Sequence, residues 1–453
     1  MTRLFGTDGI RGIANRELTP DLVYKIGFAS ANVLAGVNSH RPVFLVGRDT
    51  RISGTMLEAA LVAGLTSAGA DVFLAGIIPT PGVAYLTRKN GFDAGVVISA
   101  SHNPFEHNGI KLFSGDGYKL SDEIEDQIEK LIRCGQTAAA DLPVGEDIGH
   151  SRVLENASRE YEDYLLEHMP VDLNGMKIAV DCANGASFDI APVIFKELGA
   201  EVIAVGVDPN GVNINFGCGS TDLALLVETV QREGCDLGLA FDGDADRLLA
   251  VDDEGNIIDG DLIMAIIAKD MQNAGKLAKN TLVATVMSNL GLVKMGLEND
   301  IEVVCTQVGD RYVLEEMLRS GYVLGGEQSG HLILLEHATT GDGILSALRL
   351  LQALRNSGQK LSQARKIMNI FPQILINVEV ANADKTAALQ DLDINESINN
   401  IADELGDSGR IFVRASGTES IIRVMIEGEK LEDIKHKAEL VAQLLCDKYG
   451  VNK

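Results

Sequence analysis

The sequence predicts an α/β protein, with three related α/β domains that have mixed sheets and a small C-terminal α+β domain. Three observations lead to this prediction. A chain of 453 residues is too long for one hydrophobic core. Short apolar runs typical of strands alternate with longer helical patterns as far as residue 370. Pairs of strands that run into polar loops recur in three successive blocks.

The repeat begins with a strand that leads into a polar loop, and a second strand later in each block does the same. The first strands lead into FLVGRDTR (44–51), IAVDCANGAS (178–187) and LVATVMSN (282–289). The second strands lead into ISASHNP (98–104), AFDGDADR (240–247) and GGEQSGH (325–331). The spacing differs between blocks, so divergent duplication and chance recurrence of strand–loop–helix units both remain open.

Individual elements follow from hydrophobic periodicity and from turn residues. In the first block they are strands at 43–46, 71–78 and 94–98 and helices at 55–68 and 122–133. After residue 371 the pattern changes to strands at 374–380, 410–414 and 421–427, a polar helix within 382–400 and a closing helix at 431–448. We therefore place domains at 1–155, 156–255, 256–370 and 371–453.

The charge balance restricts the possible partners. There are 39 basic and 65 acidic side chains, giving a formal net charge of −26. A chain this acidic is not expected to bind nucleic acid or an anionic membrane over a broad surface. Tryptophan is absent and only 5% of residues are aromatic, which disfavours base-stacking platforms. An anionic ligand would need a local cluster of Arg, Lys and backbone N–H groups.

Cysteine usage and the N-terminal sequence predict a cytoplasmic protein. Six widely spaced cysteines contain no CxxC pair, and we expect free buried thiols in a reducing compartment. The segment MTRLFGTDGIRG lacks the apolar core of a signal peptide. The longest weakly charged stretch, 59–87, is interrupted by Asp71, four glycines and two prolines, which is typical of helix, strand and turn rather than of a membrane span.

A serine-rich loop follows the predicted strand at 94–98. It reads Ser99-Ala100-Ser101-His102-Asn103-Pro104. Reactive groups in α/β folds are exposed at the carboxyl ends of sheet strands, so a serine here is a candidate nucleophile. A turn stabilised by Ser and Asn side chains is the alternative. A GxSxG elbow is absent, which disfavours a hydrolase of that type.

Three aspartates at i, i+2 and i+4 predict a cation site. Asp242, Asp244 and Asp246 project to one side of an extended segment. Without a cation they would repel one another, and Mg²⁺ prefers such oxygen ligands. An EF-hand loop is excluded because its sixth and twelfth positions would be Arg247 and Asp253, and the flanking segments resemble strands. A solvated acidic turn is the alternative.

Two later loops suit a phosphate and a sugar. The segment 414–420, RASGTES, with Arg423 nearby, offers guanidinium forks, hydroxyls and backbone N–H groups for an anion. It is not a P-loop, and an ordinary turn is the alternative. In GGEQSGH, Glu327 and Ser329 suit sugar hydroxyls, and His331 could move a proton or be a structural histidine.

Basic residues elsewhere could join the same site. Arg11 lies in a Gly/Arg loop near the start of the chain, and GRDTR forms a second such loop. Lys111, ten residues beyond Ser101, could reach the serine loop. A serine hydroxyl, a cation site and a separate phosphate cradle together indicate phosphoryl transfer, where positioning and charge neutralisation supply most of the catalysis.

Six motifs in this order carry a family resemblance. FGTDGIRG, GRDTR, SASHNP, FDGDADR, GEQSGH and RASGTE resemble the α-D-phosphohexomutase superfamily over the whole chain. Within it, the opening motif, GEQSGH and RASGTE…IRVMIEG resemble the bacterial phosphoglucosamine mutase family most closely. The resemblance implies a heart-shaped enzyme of four domains and an isomerase that acts by intramolecular phosphotransfer.

The resemblance also implies a reaction and a set of site residues. Phosphorylated Ser101 would give its phosphoryl group to O1 of glucosamine 6-phosphate. The resulting glucosamine 1,6-bisphosphate would turn over and return its 6-phosphoryl group to Ser101. The implied catalytic residues are Ser101, Arg11, Lys111, His331 and Arg247, and the implied metal ligands are Ser101, Asp242, Asp244 and Asp246. The implied substrate-binding residues are Glu327, Ser329, Arg414, Ser416, Gly417, Thr418 and Arg423.

The same resemblance implies one Mg²⁺ per subunit, activation by a hexose 1,6-bisphosphate and a homodimer. A phosphomannomutase or phosphoglucomutase of the superfamily, a serine- and metal-dependent sugar phosphatase and a sugar-phosphate sensor are the alternative functions. Phosphomannomutase relatives tend to carry Met at the position of Gln328, and the loop 308–312 is a candidate for discrimination at carbon 2. Ser420 stands where the family usually has Pro, and Asn184 stands where many members have His.

Overall fold

A computed structural model describes residues 3–6, 8–37, 40–134, 142–416 and 420–451. Contacts divide the chain into two compact units. Unit 1 comprises Met1–Met287 and Ile301–Ile367, and unit 2 comprises Ser288–Asp300 and Met368–Lys453. No helix in the described ranges combines the length and the apolar character needed to cross a lipid bilayer.

The first sheet of unit 1 has six strands in the order β1-β5-β4-β2-β3-β6. Its elements, in chain order, are β1 (Ile10–Ile13), α1 (Pro20–Val37), β2 (Val43–Arg48), α2 (Gly54–Ser67), β3 (Asp71–Ile77), α3 (Thr80–Asn90), β4 (Ala94–Ile98), β5 (His107–Ser114), α4 (Asp122–Cys134) and β6 (Ser151–Val153). The predicted strands and helices of this block agree with these bounds to within two residues at each end. Arg11 was expected in a loop but lies on β1, which pairs with β5.

The second sheet has five strands in the order β11-β10-β9-β7-β8. Its elements are α5 (Ala157–His168), β7 (Lys177–Asp181), α6 (Ala191–Glu197), β8 (Glu201–Val205), α7 (Ala224–Glu233), β9 (Leu237–Phe241), β10 (Leu248–Asp252) and β11 (Ile257–Ile258).

The third sheet has four strands in the order β13-β12-β14-β15. Its elements are α8 (Gly260–Asn273), β12 (Thr281–Thr285), β13 (Glu302–Thr306), α10 (Asp310–Ser320), β14 (Leu324–Gly326), β15 (Leu332–Leu334), α11 (Gly343–Ser357) and α12 (Leu361–Ala364), while α9 (Leu290–Glu298) belongs to unit 2.

The three sheets share one arrangement of four strands. The orders β5-β4-β2-β3, β10-β9-β7-β8 and β15-β14-β12-β13 are equivalent. In each, the first two strands pair antiparallel and the other neighbours pair parallel. This agreement in order and direction confirms the predicted mixed sheets and favours duplication over chance recurrence. The predicted boundaries at 155, 255 and 370 stay predictions.

The burial of the central strands explains why they could be predicted from the sequence. β4, β9 and β12 are buried at every position, which is why they appear as short continuous apolar runs. Helices α3, α7 and α10 precede β4, β9 and β14 and end at Gly91, Gly234 and Gly321, each in a left-handed C-cap conformation. The polar loops that follow β4, β9 and β14 form the candidate site.

Unit 2 contains an antiparallel sheet in the order β16-β18-β17. Its elements after α9 are β16 (Gln373–Glu379), α13 (Lys385–Gln390), α14 (Leu392–Leu405), β17 (Gly409–Ala415), β18 (Ile421–Gly428) and α15 (Leu431–Tyr449). The predicted single helix within 382–400 is two helices. They separate at Asp391, whose carboxylate caps α14 by accepting from the N–H groups of Asp393 and Ile394.

All six cysteines are free thiols, as expected, but only three are buried. The prediction of burial is wrong for Cys134, Cys305 and Cys446. They lie at exposed positions of α4, β13 and α15, where one side of the element faces solvent.

Candidate active site

Ser101 lies in the loop after β4 with a left-handed backbone, at φ 52°. This conformation costs a non-glycine residue about 1–2 kcal/mol, so its surroundings must maintain it. The Ser101 hydroxyl donates to Asp242 Oδ2 at 2.5 Å and lies 3.3 Å from His102 Nδ1. The candidate nucleophile therefore faces the aspartate loop, as the sequence predicted.

A buried polar network holds the backbone of Ser101 on both sides. Its N–H donates to Ser99 Oγ at 2.9 Å, and Ser99 Oγ donates to Asp49 Oδ2 at 2.7 Å. Its carbonyl accepts from Arg51 Nη2 and from Asn215 Nδ2, both at 2.9 Å. Arg51 also donates to Asp49 from Nε, and both side chains are fully buried. The direction of the Ser101 side chain is thus fixed by parts of two sequence blocks.

The three aspartates after β9 form a compact buried cluster. Each of Asp242, Asp244 and Asp246 offers an oxygen within 4.8 Å of those of the other two. The Oδ1 atoms of Asp244 and Asp246 are buried and accept no hydrogen bond from the described residues. Unpaired buried carboxylate oxygens are costly unless a cation binds them. These residues fit a hard divalent cation, and the alternative of a solvated acidic turn is wrong because all three are buried.

The cluster is electrostatically strained. Burial raises the pKa of Asp242 well above its usual value, and the neighbouring charges of Asp246 and Asp244 raise it further. Burial would also raise the pKa of Asp246, but Lys111 and His331 outweigh it and hold that pKa well below the usual range. A bound cation would relieve the repulsion among the three carboxylates.

Two of the basic residues predicted from the sequence, Lys111 and Arg247, contact the aspartate cluster. Lys111 on β5 is almost fully buried, with Nζ 2.8 Å from Asp244 Oδ2. Arg11 on β1 pairs with Asp8. The backbone N–H of Arg247 donates to Asp242 Oδ1 at 3.2 Å, and its side chain is partly exposed.

The loop between β14 and β15 brings the predicted sugar contacts and His331 to this region of unit 1. Glu327 Oε1 accepts from the Gly309 N–H at 3.0 Å, and Ser329 is exposed. His331 is buried, and its Nε2 accepts from the Gly341 N–H at 3.1 Å. Its Nδ1 lies 3.6 Å from Asp246 Oδ2.

Several residues that form hydrogen bonds or ion pairs with residues of the site were not identified from the sequence as site residues. Asp8 and Asp49 stand inside FGTDGIRG and GRDTR, so those motifs contained a signal. Lys119 and Asn215 had no local signal, because their partners are far away in the sequence. Asp310 lies in the loop 308–312, which the sequence suggested only for discrimination at carbon 2. Lys119 pairs with Asp310, 191 positions later, and Asn215 reaches back 114 positions to Ser101.

The predicted phosphate-binding residues lie in unit 2. Arg414 on β17 and Arg423 on β18 are directly opposite in the antiparallel register. Burial and the neighbouring charge of Arg423 lower the pKa of Arg414. The carbonyl of the buried Ser416 accepts from Lys385 Nζ at 2.8 Å. Gly417 and Thr418 lie outside the described residues.

Comparison with known proteins identifies the family. Four family models match in order, all described as phosphoglucomutase/phosphomannomutase: domain I at residues 2–138, domain II at 159–255, domain III at 259–371 and the C-terminal domain at 375–444. The phosphoglucosamine mutase of Acetivibrio thermocellus is 54% identical over 450 residues, covering 99% of this chain and 100% of that protein. The chain belongs to the phosphoglucomutase/phosphomannomutase family. Within that family it is a member of the phosphoglucosamine mutase group of isomerases.

Solved structures agree with this family at the level of the fold. A phosphoglucomutase/phosphomannomutase family protein from Burkholderia thailandensis has a TM-score of 0.79 at 23% identity, covering 98% of both chains. The N-acetylphosphoglucosamine mutase of Aspergillus fumigatus, in complex with GlcNAc-6P and magnesium, has a TM-score of 0.70 at 18% identity, covering 98% of this chain and 95% of that chain. The family therefore confirms the predicted four-domain architecture, while the roles of individual residues stay predictions.

Proposed function

We propose that this protein interconverts glucosamine 6-phosphate and glucosamine 1-phosphate through phosphorylated Ser101. One observation carries the mechanism: the Ser101 hydroxyl lies 2.5 Å from a carboxylate of a buried three-aspartate cluster. The substrate assignment is supported by curated phosphoglucosamine mutases, 54% identical in the case of Acetivibrio thermocellus over 99% of the chain.

Asp242, Asp244 and Asp246 would hold one Mg²⁺ per subunit, together with a phosphate oxygen on Ser101. The buried Oδ1 atoms of Asp244 and Asp246, which accept no hydrogen bond from the described residues, support this ligand set. When bound, Mg²⁺ neutralises negative charge on the phosphoryl group and in the transition state. Lys111 contacts Asp244 and Asp246 and therefore contributes positive charge beside the same carboxylates.

Other side chains bind the sugar and move the proton. Glu327 and Ser329 would contact sugar hydroxyls, with Glu327 oriented by the Gly309 N–H. His331 Nε2 accepts from a backbone N–H, so the neutral ring carries its proton on Nδ1, facing Asp246. Arg11 and Arg247 would stabilise negative charge, and His331 would transfer a proton at the attacking or leaving oxygen.

The non-reacting phosphate would bind in unit 2. The predicted contacts are Arg414, Ser416, Gly417, Thr418 and Arg423. Support comes from the cross-strand pair Arg414 and Arg423, because two adjacent guanidinium groups suit an anion with several oxygens.

The proposed reaction conserves the phosphoryl group. The P–Oγ bond of phosphorylated Ser101 breaks as O1 of glucosamine 6-phosphate attacks, and the proton of that hydroxyl passes to a basic side chain. The bisphosphate then reorients, and Ser101 Oγ attacks the 6-phosphoryl group. The P–O6 bond breaks and O6 takes up the proton, which leaves glucosamine 1-phosphate and phosphorylated Ser101. A hexose 1,6-bisphosphate would phosphorylate the enzyme initially, and the active form is proposed to be a homodimer.

The test compares kcat/KM for glucosamine 6-phosphate, glucose 6-phosphate and mannose 6-phosphate after priming with glucose 1,6-bisphosphate. We expect glucosamine 6-phosphate to be preferred, Ser101→Ala to be inactive and the exposed control Ser357→Ala to match wild type. A preference for either neutral sugar would assign another activity of the family. Release of inorganic phosphate at the turnover rate would indicate a phosphatase, and wild-type activity of Ser101→Ala would disprove the mechanism.

A further inference from the structure

Six side chains at the site form a closed ring in which acidic and basic groups alternate. In order around this charge ring they are Asp8, Lys111, Asp246, His331, Asp310 and Lys119. The three acids and three bases come from all three sequence blocks of unit 1. The proposed function gives roles to Lys111, Asp246 and His331, but none to the other three.

The shorter contacts join the two lysines through Asp8. Lys111 Nζ lies 3.1 Å from Asp8 Oδ2, and Lys119 Nζ lies 2.9 Å from Asp8 Oδ1. Lys119 also contacts Asp310 Oδ2. A single ammonium group therefore separates the carboxylates of Asp8 and Asp310, which belong to the first and third blocks.

The ring closes through His331 and Asp246. His331 Nε2 lies 3.6 Å from Asp310 Oδ2, and its Nδ1 lies 3.6 Å from Asp246 Oδ2. Lys111 Nζ completes the ring at 3.3 Å from Asp246 Oδ2. Lys111, Asp246 and His331 are buried, while the other three side chains are at least three-quarters buried, so solvent screens these charges little.

We propose that Lys119 and Asp310 are positioning residues that hold Lys111 and His331 in place for phosphoryl transfer. This inference rests on the proposed function. Without Lys119, Asp8 and Asp310 would be left as neighbouring buried carboxylates with no cation between them. Asp8 would then attract Lys111 away from Asp244, and the Asp310 carboxylate, without its cation, would repel the unprotonated Nε2 of His331 3.6 Å away. Small displacements of such groups reduce the rate far more than the binding of substrate.

The same geometry connects the ring to the predicted sugar contact. Asp310 follows Gly309, whose N–H holds the Glu327 carboxylate at 3.0 Å. Asp310 is also the first residue of α10. Its ion pair with Lys119 therefore holds the N-terminal end of that helix. Loss of the anchor is expected to affect Glu327 less than His331, because the Gly309 hydrogen bond comes from the backbone.

The experiment measures kcat and KM for glucosamine 6-phosphate in Lys119→Met, Asp310→Asn, the double variant and Lys119→Arg. We expect kcat to fall by about tenfold or more in each of the first two, with KM changed by less than about threefold. The double variant should be no slower than Lys119→Met, because both changes disrupt the same ion pair between Lys119 and Asp310. Lys119→Arg should restore most of kcat, since a guanidinium can bridge the same carboxylates.

The matched control is Lys89→Met. Lys89 makes an ion pair of similar length, 2.7 Å, to Glu160, but at the exposed surface of unit 1. Its kcat and KM should equal those of wild type. If Lys119→Met does not fold, Asp310→Asn and Lys119→Arg decide the question.

Unchanged kcat in Lys119→Met or in Asp310→Asn would overturn the inference, as would a double variant whose losses multiply. An inactive wild-type enzyme would instead refute the proposed function. The two failures are therefore distinguishable.

Discussion

The Ser101 backbone shows how a single hydroxyl is directed by residues distant in sequence. Its φ of 52° and its two held backbone groups turn Oγ toward Asp242. Asn215 supplies one of the two donors to its carbonyl and also donates to the Asn103 carbonyl at 3.1 Å. Strained backbone conformations of this kind persist only where the surroundings stabilise them.

Asn215→Ala should weaken the positioning of Ser101. The change removes one donor from each of two partly buried carbonyls, those of Ser101 and Asn103, which should cost about 1–2 kcal/mol of unfolding free energy and about tenfold in kcat. The matched control is Asn395→Ala. Asn395 also donates to two backbone carbonyls, those of Leu389 and Asp391, but within unit 2. It should lose stability without losing kcat; equal kcat losses in both variants would contradict the account.

The aspartate cluster should respond to magnesium in the absence of substrate. Because a ligand that binds only the folded state stabilises it, Mg²⁺ should raise the melting temperature of the wild-type protein after treatment with EDTA. Asp246→Asn should show a smaller shift, since it removes one charge from the cluster. The exposed control Asp163→Asn should behave like wild type. The same shift in all three proteins would show that the ion binds elsewhere.

Among the elements, the loops after buried strands were the most predictable part of the site. The apolar runs of β4 and β9 predicted strands, and the polar residues that follow them predicted Ser101 and the three aspartates. Short strands such as β1 and β15 were missed because they contain only four and three residues. Asn215 could not be identified, because its function depends on contacts that form only in the folded chain.

Helix α11 shows how elements from different blocks are joined. Asp342 caps this helix by accepting from the Leu345 N–H at 2.9 Å. It also accepts from the hydroxyl of the buried Tyr161 on α5 at 2.8 Å. Burial raises the pKa of Asp342 from 3.8 to about 6, against the opposing effect of its hydrogen bonds.

This raised pKa predicts a pH-dependent contribution to stability. The folded protein binds the Asp342 proton more tightly than the unfolded chain, so the contribution grows as pH falls through about 6 and levels off below 3.8. Relative to Asp342→Asn, wild type should gain about 1 kcal/mol of unfolding free energy between about pH 7.5 and about pH 5.

Urea denaturation at the two pH values measures this difference. Tyr161→Phe provides a second check: it removes a donor that stabilises the carboxylate, so it should steepen the dependence on pH. A constant difference between wild type and Asp342→Asn would show that the carboxyl group has the same pKa in the folded and unfolded chain.

Across the whole molecule, the three sheets share one strand arrangement, and the loops after their equivalent strands differ in their functional side chains. Equivalent strands β4, β9 and β14 lead into a serine loop, an aspartate loop and a Glu–Ser–His loop. Motif order alone predicted these three loops and the family. The charge ring was not predictable, because Lys111 and Asp246 are separated by 135 positions and their contact depends on how the blocks pack.

The net charge of −26 fits this arrangement. Acidic side chains dominate the chain, yet buried cations converge on the carboxylates of the charge ring. Anion binding is therefore expected only at local basic sites, such as the pair Arg414 and Arg423, and not over a broad surface.

The central claim is that Ser101 carries the transferable phosphoryl group. Peptide mapping by mass spectrometry, after incubation with glucose 1,6-bisphosphate, tests it most directly. We expect one phosphoryl group on the peptide containing Ser101, its persistence through turnover because the second transfer rephosphorylates Ser101, and no modification in Ser101→Ala. Active enzyme with an unmodified Ser101 peptide under these conditions would contradict the account.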